Sequence, residues 1–385
     1  MNHIKNAVIF AIQSVKFILL YLLTRHFKYI KTGLLIIRND NLGDMLISLP
    51  MIEQAADAIH KKNKTVTLVV SQINSELLKK SHYADNLVIA GNAEFSNGFF
   101  RRLKAFRKIS AYRAEKVILL LSLGRSGEHD YAVLLARGKD CYALETMYSW
   151  NIPEKLESYR KLFFNLLYTK TVDYDVNKTI RENEANLFSA ALQCSIVPKV
   201  CDVSAWSMPF LKSEIASPYY IVVPGSSNKR RQWPEEYFAK IIDHIAEVRP
   251  DITAVITGTD QDITIAEKII QCTLNHKKII NLCGKSTLHQ LIHSIENAEF
   301  VVTNDTASVH LAGSLRKICF CLGGNWYYGA HMPDPYYSTV IFMNKNTDCK
   351  RCMENCPYLI NDRFRCLMQV TVEEVISIID QTLFK

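Results

Sequence analysis

Three polar segments interrupt apolar runs where reactive side chains would be held against a ligand. The first is Ile36-Ile37-Arg38-Asn39-Asp40-Asn41-Leu42-Gly43-Asp44. An apolar run, Leu34 to Ile37, breaks into a short loop with one glycine. Asp44 then opens a helical pattern of Met45, Leu46, Leu49, Met51 and Ile52. A carboxylate at the top of a first strand, N-capping the next helix, faces the crevice where open α/β sheets bind ligands. The second segment, Val223-Pro224-Gly225-Ser226-Ser227-Asn228-Lys229-Arg230-Arg231-Gln232-Trp233-Pro234, offers a glycine, two hydroxyls and three cations, then enters a helix with Pro234 at its first turn. Anions sit well there, because backbone N–H groups converge with Lys and Arg. The third, Asn304-Asp305-Thr306-Ala307-Ser308-Val309-His310, repeats the strand-to-helix geometry. Asp305 or Thr306 could cap its helix, and Thr306 and Ser308 could donate hydroxyls to a diphosphate. Two such loops, at Asp44 and Asp305, suggest two sheets facing one cleft.

Plainer roles compete with these. The basic loop could be a solvated surface, Trp233 a core residue, and His310 a satisfied structural histidine. GxGxxG and GxxxxGK[ST] are both absent, which disfavours a nicotinamide-binding or P-loop protein. Gly323-Gly324 reads as a turn. Two Asp-x-Asp triplets, at Asp173 and Asp260, carry little weight in a chain of 385 residues, and Asp173 reads as irregular surface. Near the C-terminus, Cys349, Cys352, Cys356 and Cys366 could complete a tetrahedral zinc site. With only one CxxC among them, reduced thiols or a disulfide pair fit as well. The other seven cysteines are scattered, several in apolar runs, and read as reduced core thiols of a cytosolic protein.

The elements that must position these loops alternate in type. A chain of 385 residues exceeds one ordinary core, so two domains are expected. Strands are predicted at 34–38, 66–70, 87–89 and 116–121, then at 219–223, 252–257, 278–282, 300–303, 317–322 and 339–343. Helices include 44–59, 99–109, 154–167 and 181–192, the last two polar-faced, then 234–248, 261–272, 287–295, 306–314 and 372–383. Alternation implies crossover units and parallel sheets, an α/β architecture of two doubly wound domains. The stretch 198–218, with Pro198, Pro209 and Pro218, reads as a linker between a domain at 32–197 and one at 219–371, with a last helix at 372–385. No internal repeat is visible.

Lys and Arg outnumber Asp and Glu by 46 to 38, a net charge of +8 that is spread along the chain. This fits an anionic ligand or membrane surface; the densest run, Lys229-Arg230-Arg231, is too short to argue for DNA. Within residues 1–31, Ile4 to Leu23 are largely apolar but interrupted by Lys5, Gln13, Ser14 and Lys16, with Arg25, His26, Lys28 and Lys31 following. The unbroken part, Phe17 to Leu23, falls short of the ~20 residues a bilayer crossing needs. An amphipathic helix on an anionic leaflet is the favoured reading, ahead of a helix packed on the protein's own core or a true span. No cleavage site for a signal peptide follows.

Taken together, the loops resemble glycosyltransferase family 9, the ADP-heptose:lipopolysaccharide heptosyltransferases, from about residue 33 to 382. The marks are Arg38…Leu42-Gly43-Asp44…Leu49-Pro50; Pro224-Gly225-Ser226-Ser227…Arg231-Gln232-Trp233-Pro234-Glu235-Glu236-Tyr237-Phe238; and Thr303-Asn304-Asp305-Thr306-Ala307-Ser308-Val309-His310-Leu311-Ala312. The C-terminal cysteines before Cys366-Leu367-Met368…Val372 also look like many members. The resemblance implies the GT-B fold, two Rossmann-like domains with the acceptor on the first and the nucleotide-sugar on the second. It implies inverting transfer of a sugar, such as heptose from ADP-heptose, to a lipopolysaccharide core or related glycolipid without an obligatory metal. Asp44 would be the base, with Arg38, Asn41 and Gly43 on the acceptor side. Donor contacts would come from Ser226, Ser227, Lys229, Arg231, Asp260, Asp305, Thr306, Ala307, Ser308 and His310, Asp260 matching loosely a ribose-contacting acid. Ala307 stands where the family usually has glycine and Arg231 where several members carry lysine, and the 39–41 loop is unusually polar. Another nucleotide-sugar is therefore open, as is a GT-B-shaped binding protein without turnover. The implied partners are a nucleotide-sugar, a glycolipid and the inner-leaflet membrane surface, with no nucleic acid, for a cytoplasmic, peripherally associated enzyme.

Overall fold

The computed structural model describes residues 15, 19, 22–24, 28–79, 81–91, 94–95, 98–120, 127–145, 167–210, 215, 218–345, 352 and 356–384. The predicted helix at 154–167, most of the N-terminal segment and Cys349 lie outside them. The chain divides into two compact units, Met1–Lys199 and Val200–Lys385.

The first unit holds β1 (Ile30–Arg38), β2 (Val66–Val70), β3 (Asn86–Ile89), β4 (Tyr112–Leu119), β5 (Asp140–Glu145) and β6 (Lys170–Asp173). They form one parallel sheet in the order β3-β2-β1-β4-β5-β6. Strands buried on both faces need apolar residues on both, and Leu34 to Ile37 at its centre are all fully buried. The second unit holds β7 (Tyr219–Val223), β8 (Thr253–Ile256), β9 (Ile279–Asn281), β10 (Phe300–Asn304), β11 (Ile318–Leu322) and β12 (Val340–Met343), again all parallel. Its order, β9-β8-β7-β10-β11-β12, is the same 3-2-1-4-5-6 arrangement when strands are counted from one within the unit. That is the doubly wound Rossmann topology, so the fold repeats where the sequence shows no repeat.

Helices fill the crossovers. The one at Leu42–His60 begins two residues before Asp44, with Asn41 at its N-cap position, so Asp44 lies in the first turn rather than capping it. A carboxylate there still complements the positive end of the helix. Capping boxes start the helices at Ile180–Leu192, Leu288–Asn297 and Val372–Leu383, using Thr179 with Glu182, Thr287 with Gln290 and Thr371 with Glu374.

Three expectations need amendment. Strands β5 and β6 were not anticipated, and Asp173 ends β6 instead of lying in irregular sequence. The helix at Ile180–Leu192 has its outward polar face, Glu182, Asn186 and Ser189, but its inner face is polar too: Arg181, Asn183 and Glu184 are buried with Leu187 and Phe188. The stretch 198–218 is not bare linker, since a 3₁₀ turn at Ser204–Trp206 buries Trp206. Among the described residues no helix is long and apolar enough to cross a membrane.

Candidate functional site

In doubly wound sheets, ligands bind beyond the carboxyl ends of the strands where the strand order reverses. In the first unit that point lies between β1 and β4. Arg38 ends β1 with its side chain fully buried. Its guanidinium pairs with Asp40 at 3.2 Å and with the fully buried Glu184 at 3.1 Å, and donates to the main-chain carbonyl of Asp44 at 2.8 Å. Ser48, one turn beyond Asp44, donates to Glu184 at 2.5 Å and lies 3.1 Å from the Asp44 carbonyl. The Asp44 carbonyl is thus held by the Arg38 guanidinium, while the residue itself stays partly exposed. Arg38 reaches the loop from inside the unit; Asn41 is exposed and Gly43 partly so.

Burial raises Glu184 above the usual carboxylate range, against the opposing pull of Arg38 and the Ser48 hydrogen bond. Asp40 is raised further, again by burial first, with Asp44 and Glu184 adding to the shift. Nearby, His129 Nε2 lies 3.2 Å from Asn39 Oδ1. The Asn39 amide nitrogen donates to the Ala90 carbonyl, so its oxygen faces the imidazole and Nε2 is the donor. Burial pushes His129 down to about 4. Tyr168 donates a short hydrogen bond, 2.5 Å, to the buried Asp130.

In the second unit the switch point lies between β7 and β10, and both sequence loops arrive there. The fully buried Asn304, last residue of β10, locks them together. Its amide donates to the Pro224 carbonyl at 2.6 Å and its oxygen accepts the Trp233 N–H at 3.1 Å. Asp305 follows, and its carboxylate accepts the indole N–H of buried Trp326 at 3.0 Å. Arg231 lies over the Trp326 and Tyr327 rings, 5.4 and 5.0 Å from their centroids. Cation–π packing of this kind fixes a planar guanidinium against the two rings.

Thr306 caps the helix Ala307–Ser314, its hydroxyl accepting the Ser308 N–H at 3.4 Å. Thr306 and Ala307 are partly exposed, whereas Ser308 is buried. His310 is buried too, its ring nitrogen 3.3 Å from the Tyr337 hydroxyl, which places it beneath the helix rather than at its tip. Ser226 is half-buried; Ser227 and Lys229 are exposed. Gly225 has no room for a side chain, since a Cβ there would lie 2.1 Å from an Asp262 oxygen. Asp262 in turn is held by the N–H and hydroxyl of Thr259. Asp260 sits exposed beyond β8, against Gly284, whose φ of +71° is open to glycine. Trp233 is core, its indole donating to the Val370 carbonyl.

Cys349 lies outside the described residues, so the four cysteines of the zinc expectation are not seen together; among the described residues no group of three or more His, Cys, Asp or Glu side chains able to hold a metal comes together. Cys366 is buried and accepts the Asn325 N–H, while Cys356 donates to the Tyr358 carbonyl. None of the ten described cysteines is in a disulfide.

Sequence reasoning missed Glu184, Ser48, His129 and the roles of Asn304 and Trp326. Glu184 had a usable signal: it stands on the apolar stripe of Ile180, Leu187, Phe188 and Ala191, where a charge must find a buried partner. The others had none at the level of spacing.

The profile of glycosyltransferase family 9 (heptosyltransferase) matches residues 145–356. The chain belongs to this family. Lipooligosaccharide heptosyltransferase 2 of Haemophilus influenzae is 26% identical over 96 residues, 24% of this chain and 27% of that protein. The chain spans about a quarter to a half of the length of the curated relatives it matches. Likeness in fold reaches further. The structure of E. coli ADP-heptose lps heptosyltransferase II superposes with a TM-score of 0.62 at 14% identity, over 91% of this chain and 98% of that one. E. coli heptosyltransferase WaaC, solved with ADP-2-deoxy-2-fluoro heptose, gives 0.64 at 16%, over 92% and 100%. The family-9 chain thus has the two Rossmann-like domains of the GT-B heptosyltransferase structures.

Proposed function

We propose that this protein is an inverting glycosyltransferase that moves heptose from ADP-heptose onto a lipopolysaccharide core or a related glycolipid. The observation that carries the proposal is the meeting of the 224–231 and 304–308 loops at one switch point, locked by Asn304. There Ser226, Ser227, Lys229, Arg231, Thr306 and the first N–H groups of the Ala307–Ser314 helix hold the donor diphosphate, and Asp260 takes the ribose. The ADP-sugar complex of the E. coli relative supports that choice of donor. A diphosphate leaving group needs positive potential as it departs. Arg231 and oriented N–H donors supply it, and losing one such donor typically costs ~2.7–4 kcal/mol in the transition state.

The first domain, 32–197, binds the acceptor. Its hydroxyl oxygen attacks C1 of the sugar, the bond from C1 to the diphosphate oxygen breaks, and ADP leaves. The hydroxyl proton passes to the Asp44 carboxylate, whose main-chain carbonyl Arg38 holds in place. Attack opposite the leaving group inverts the anomeric centre. The protein works at the inner-leaflet surface, with the N-terminal segment as one contact; Val15, Leu19, Leu22 and Leu23 are all exposed.

The test is release of ADP from ADP-heptose in the presence of a lipopolysaccharide-core acceptor, by wild type and by Asp44→Asn. The variant is expected to keep its thermal shift with ADP and to lose ~10²–10⁴-fold in turnover. A wild type that binds nucleotide-sugars and transfers none would make it a GT-B-shaped binding protein instead.

A further inference from the structure

The helix Phe99–Ser110 reads FFRRLKAFRKIS, with five cations and no acid. Ala105, Phe106, Ile109 and Ser110 form its inner face, buried in the first unit. Phe100, Arg101, Lys104, Arg107 and Lys108 form its outer face, spaced so that they share one side of the helix, and all are exposed. Phe100 is 81% exposed, and Phe99 stands edge-on against it with centroids 5.6 Å apart. The helix leaves the loop beyond β3, so its phenylalanine end lies at the carboxyl edge of the sheet, the edge from which the Asp44 helix also starts. At its other end, the Ser110 hydroxyl donates to the Thr24 carbonyl at 2.6 Å. That bond ties the helix to the N-terminal segment, in which Leu22 and Leu23 are exposed. A cationic stripe ~18 Å long therefore has exposed apolar residues at both ends.

Solubility alone is served by mixed charge. A single-sign stripe with an exposed aromatic ring is the composition that lies on anionic lipid, the ring entering the headgroup boundary and the cations meeting phosphates. We propose that the outer face of the Phe99–Ser110 helix docks this protein on an anionic bilayer. The inference rests on the membrane-surface reading above, and it assigns to a folded helix the contact which that reading gives to the N-terminal segment. Phe100 inserts and Arg101 and Lys104 pair with lipid phosphates; Arg107 and Lys108, the latter donating to the Ile89 carbonyl at 2.8 Å, add to the positive field of the face. Docking along this face brings the acceptor-binding unit to the surface in which a glycolipid is embedded. The exposed ring favours lipid over a polysulfate such as heparin, which has no apolar face for the ring to enter and would use the cations alone.

The experiment is sedimentation of the full chain with vesicles of phosphatidylcholine alone and of phosphatidylcholine with phosphatidylglycerol, at low and high salt. Wild type is expected to bind the anionic vesicles and to release them at high salt. Each neutralised cation should weaken binding about five-fold, so Phe100→Ser with Arg101→Gln and Lys104→Gln should lose at least ~25-fold. Its melting temperature should stay unchanged, since all three side chains are exposed. Leu19→Asp with Leu22→Asp serves as the comparison. If that N-terminal variant abolishes binding while the helix variant binds as wild type does, the helix proposal is overturned and the membrane reading stands. If wild type binds neither kind of vesicle, both fall. Equal loss of binding to vesicles and to heparin on neutralising the cations, with Phe100→Ser alone silent, would make the face a general polyanion surface and overturn the lipid assignment.

Discussion

Arg38 shows how a residue near a candidate site can act without touching a ligand. A buried cation needs paired anions, and Asp40 and Glu184 supply them, while the second arm of the guanidinium holds the Asp44 carbonyl. Glu184→Gln removes a charge with no access to water and leaves Arg38 under-compensated. The variant is expected to lose ~3–5 kcal/mol of stability in urea unfolding. At temperatures where it stays folded, kcat should drop with the ADP thermal shift unchanged, because only the backbone beneath Asp44 has been released. A Glu184→Gln protein as stable as wild type would remove this network from the account. His129 makes a pH prediction. Its folded-state value of about 4 lies below the ordinary 6.5, so the unfolded chain takes up a proton that the folded one refuses. Its contribution is whole above pH 6.5 and is lost as pH falls toward about 4. The loss amounts to on the order of 3 kcal/mol. His129→Gln keeps a donor for Asn39 and should flatten the stability profile over that window; an unchanged acid limb would mean that His129 already carries its proton in the fold.

Asn304 plays the corresponding part between elements, as the amide that joins the end of β10 to the loop after β7. Asn304→Leu is nearly isosteric but leaves the Trp233 N–H and Pro224 carbonyl unpaired, costing ~1–3 kcal/mol for each buried group left unsatisfied. The loops should separate, so weaker ADP binding by calorimetry is expected alongside the lower melting temperature; unchanged ADP affinity would show that the clamp does not shape the donor site. Elements of this kind were unevenly legible in the sequence. Strands β1 and β7 stood out because burial on both faces demands unbroken apolar runs such as Leu34 to Ile37 and Tyr219 to Val223. Strand β6, Lys170-Thr171-Val172-Asp173, lies at a sheet edge and is nowhere fully buried, so nothing in its composition marks it as a strand. The loops at 225–231 and 304–308 were readable because strand-to-helix junctions need glycine, hydroxyl and capping residues at fixed offsets. The partners that hold those loops were not. Trp326 meets Asp305 from 21 residues away and Glu184 meets Ser48 from 136, and such pairings are decided by topology. Glu184 was missed for a further reason: a charge on a helix is ordinarily solvated, and here a buried arginine overrides that rule.

Across the whole chain, the same strand order occurs twice, and each unit carries its own sheet and buried core. The second core is built around Trp233, Phe238, Phe300, Phe320, Trp326 and Phe364, all within Val200–Lys385. The C-terminal helix Val372–Leu383 closes that core through Val375 and Ile379, and Lys345 pairs with Glu374 in its first turn. Every residue proposed to hold the donor lies in this unit, while the proposed base lies in the other. Binding and transfer should therefore come apart on division of the chain. A fragment of residues 200–385 is expected to fold and to be stabilised by ADP. With one site and ligand at a hundred times its dissociation constant, that stabilisation is ~2.7 kcal/mol, readily seen as a rise in melting temperature. The fragment should release no ADP from ADP-heptose in the presence of acceptor, having no Asp44. Arg231→Ala in the fragment should remove most of the thermal shift, since the cation proposed to meet the diphosphate is gone. A cooperatively melting fragment indifferent to ADP, beside a full chain that binds it, would mean that the first unit supplies donor contacts and that the division of labour proposed for the two domains is wrong.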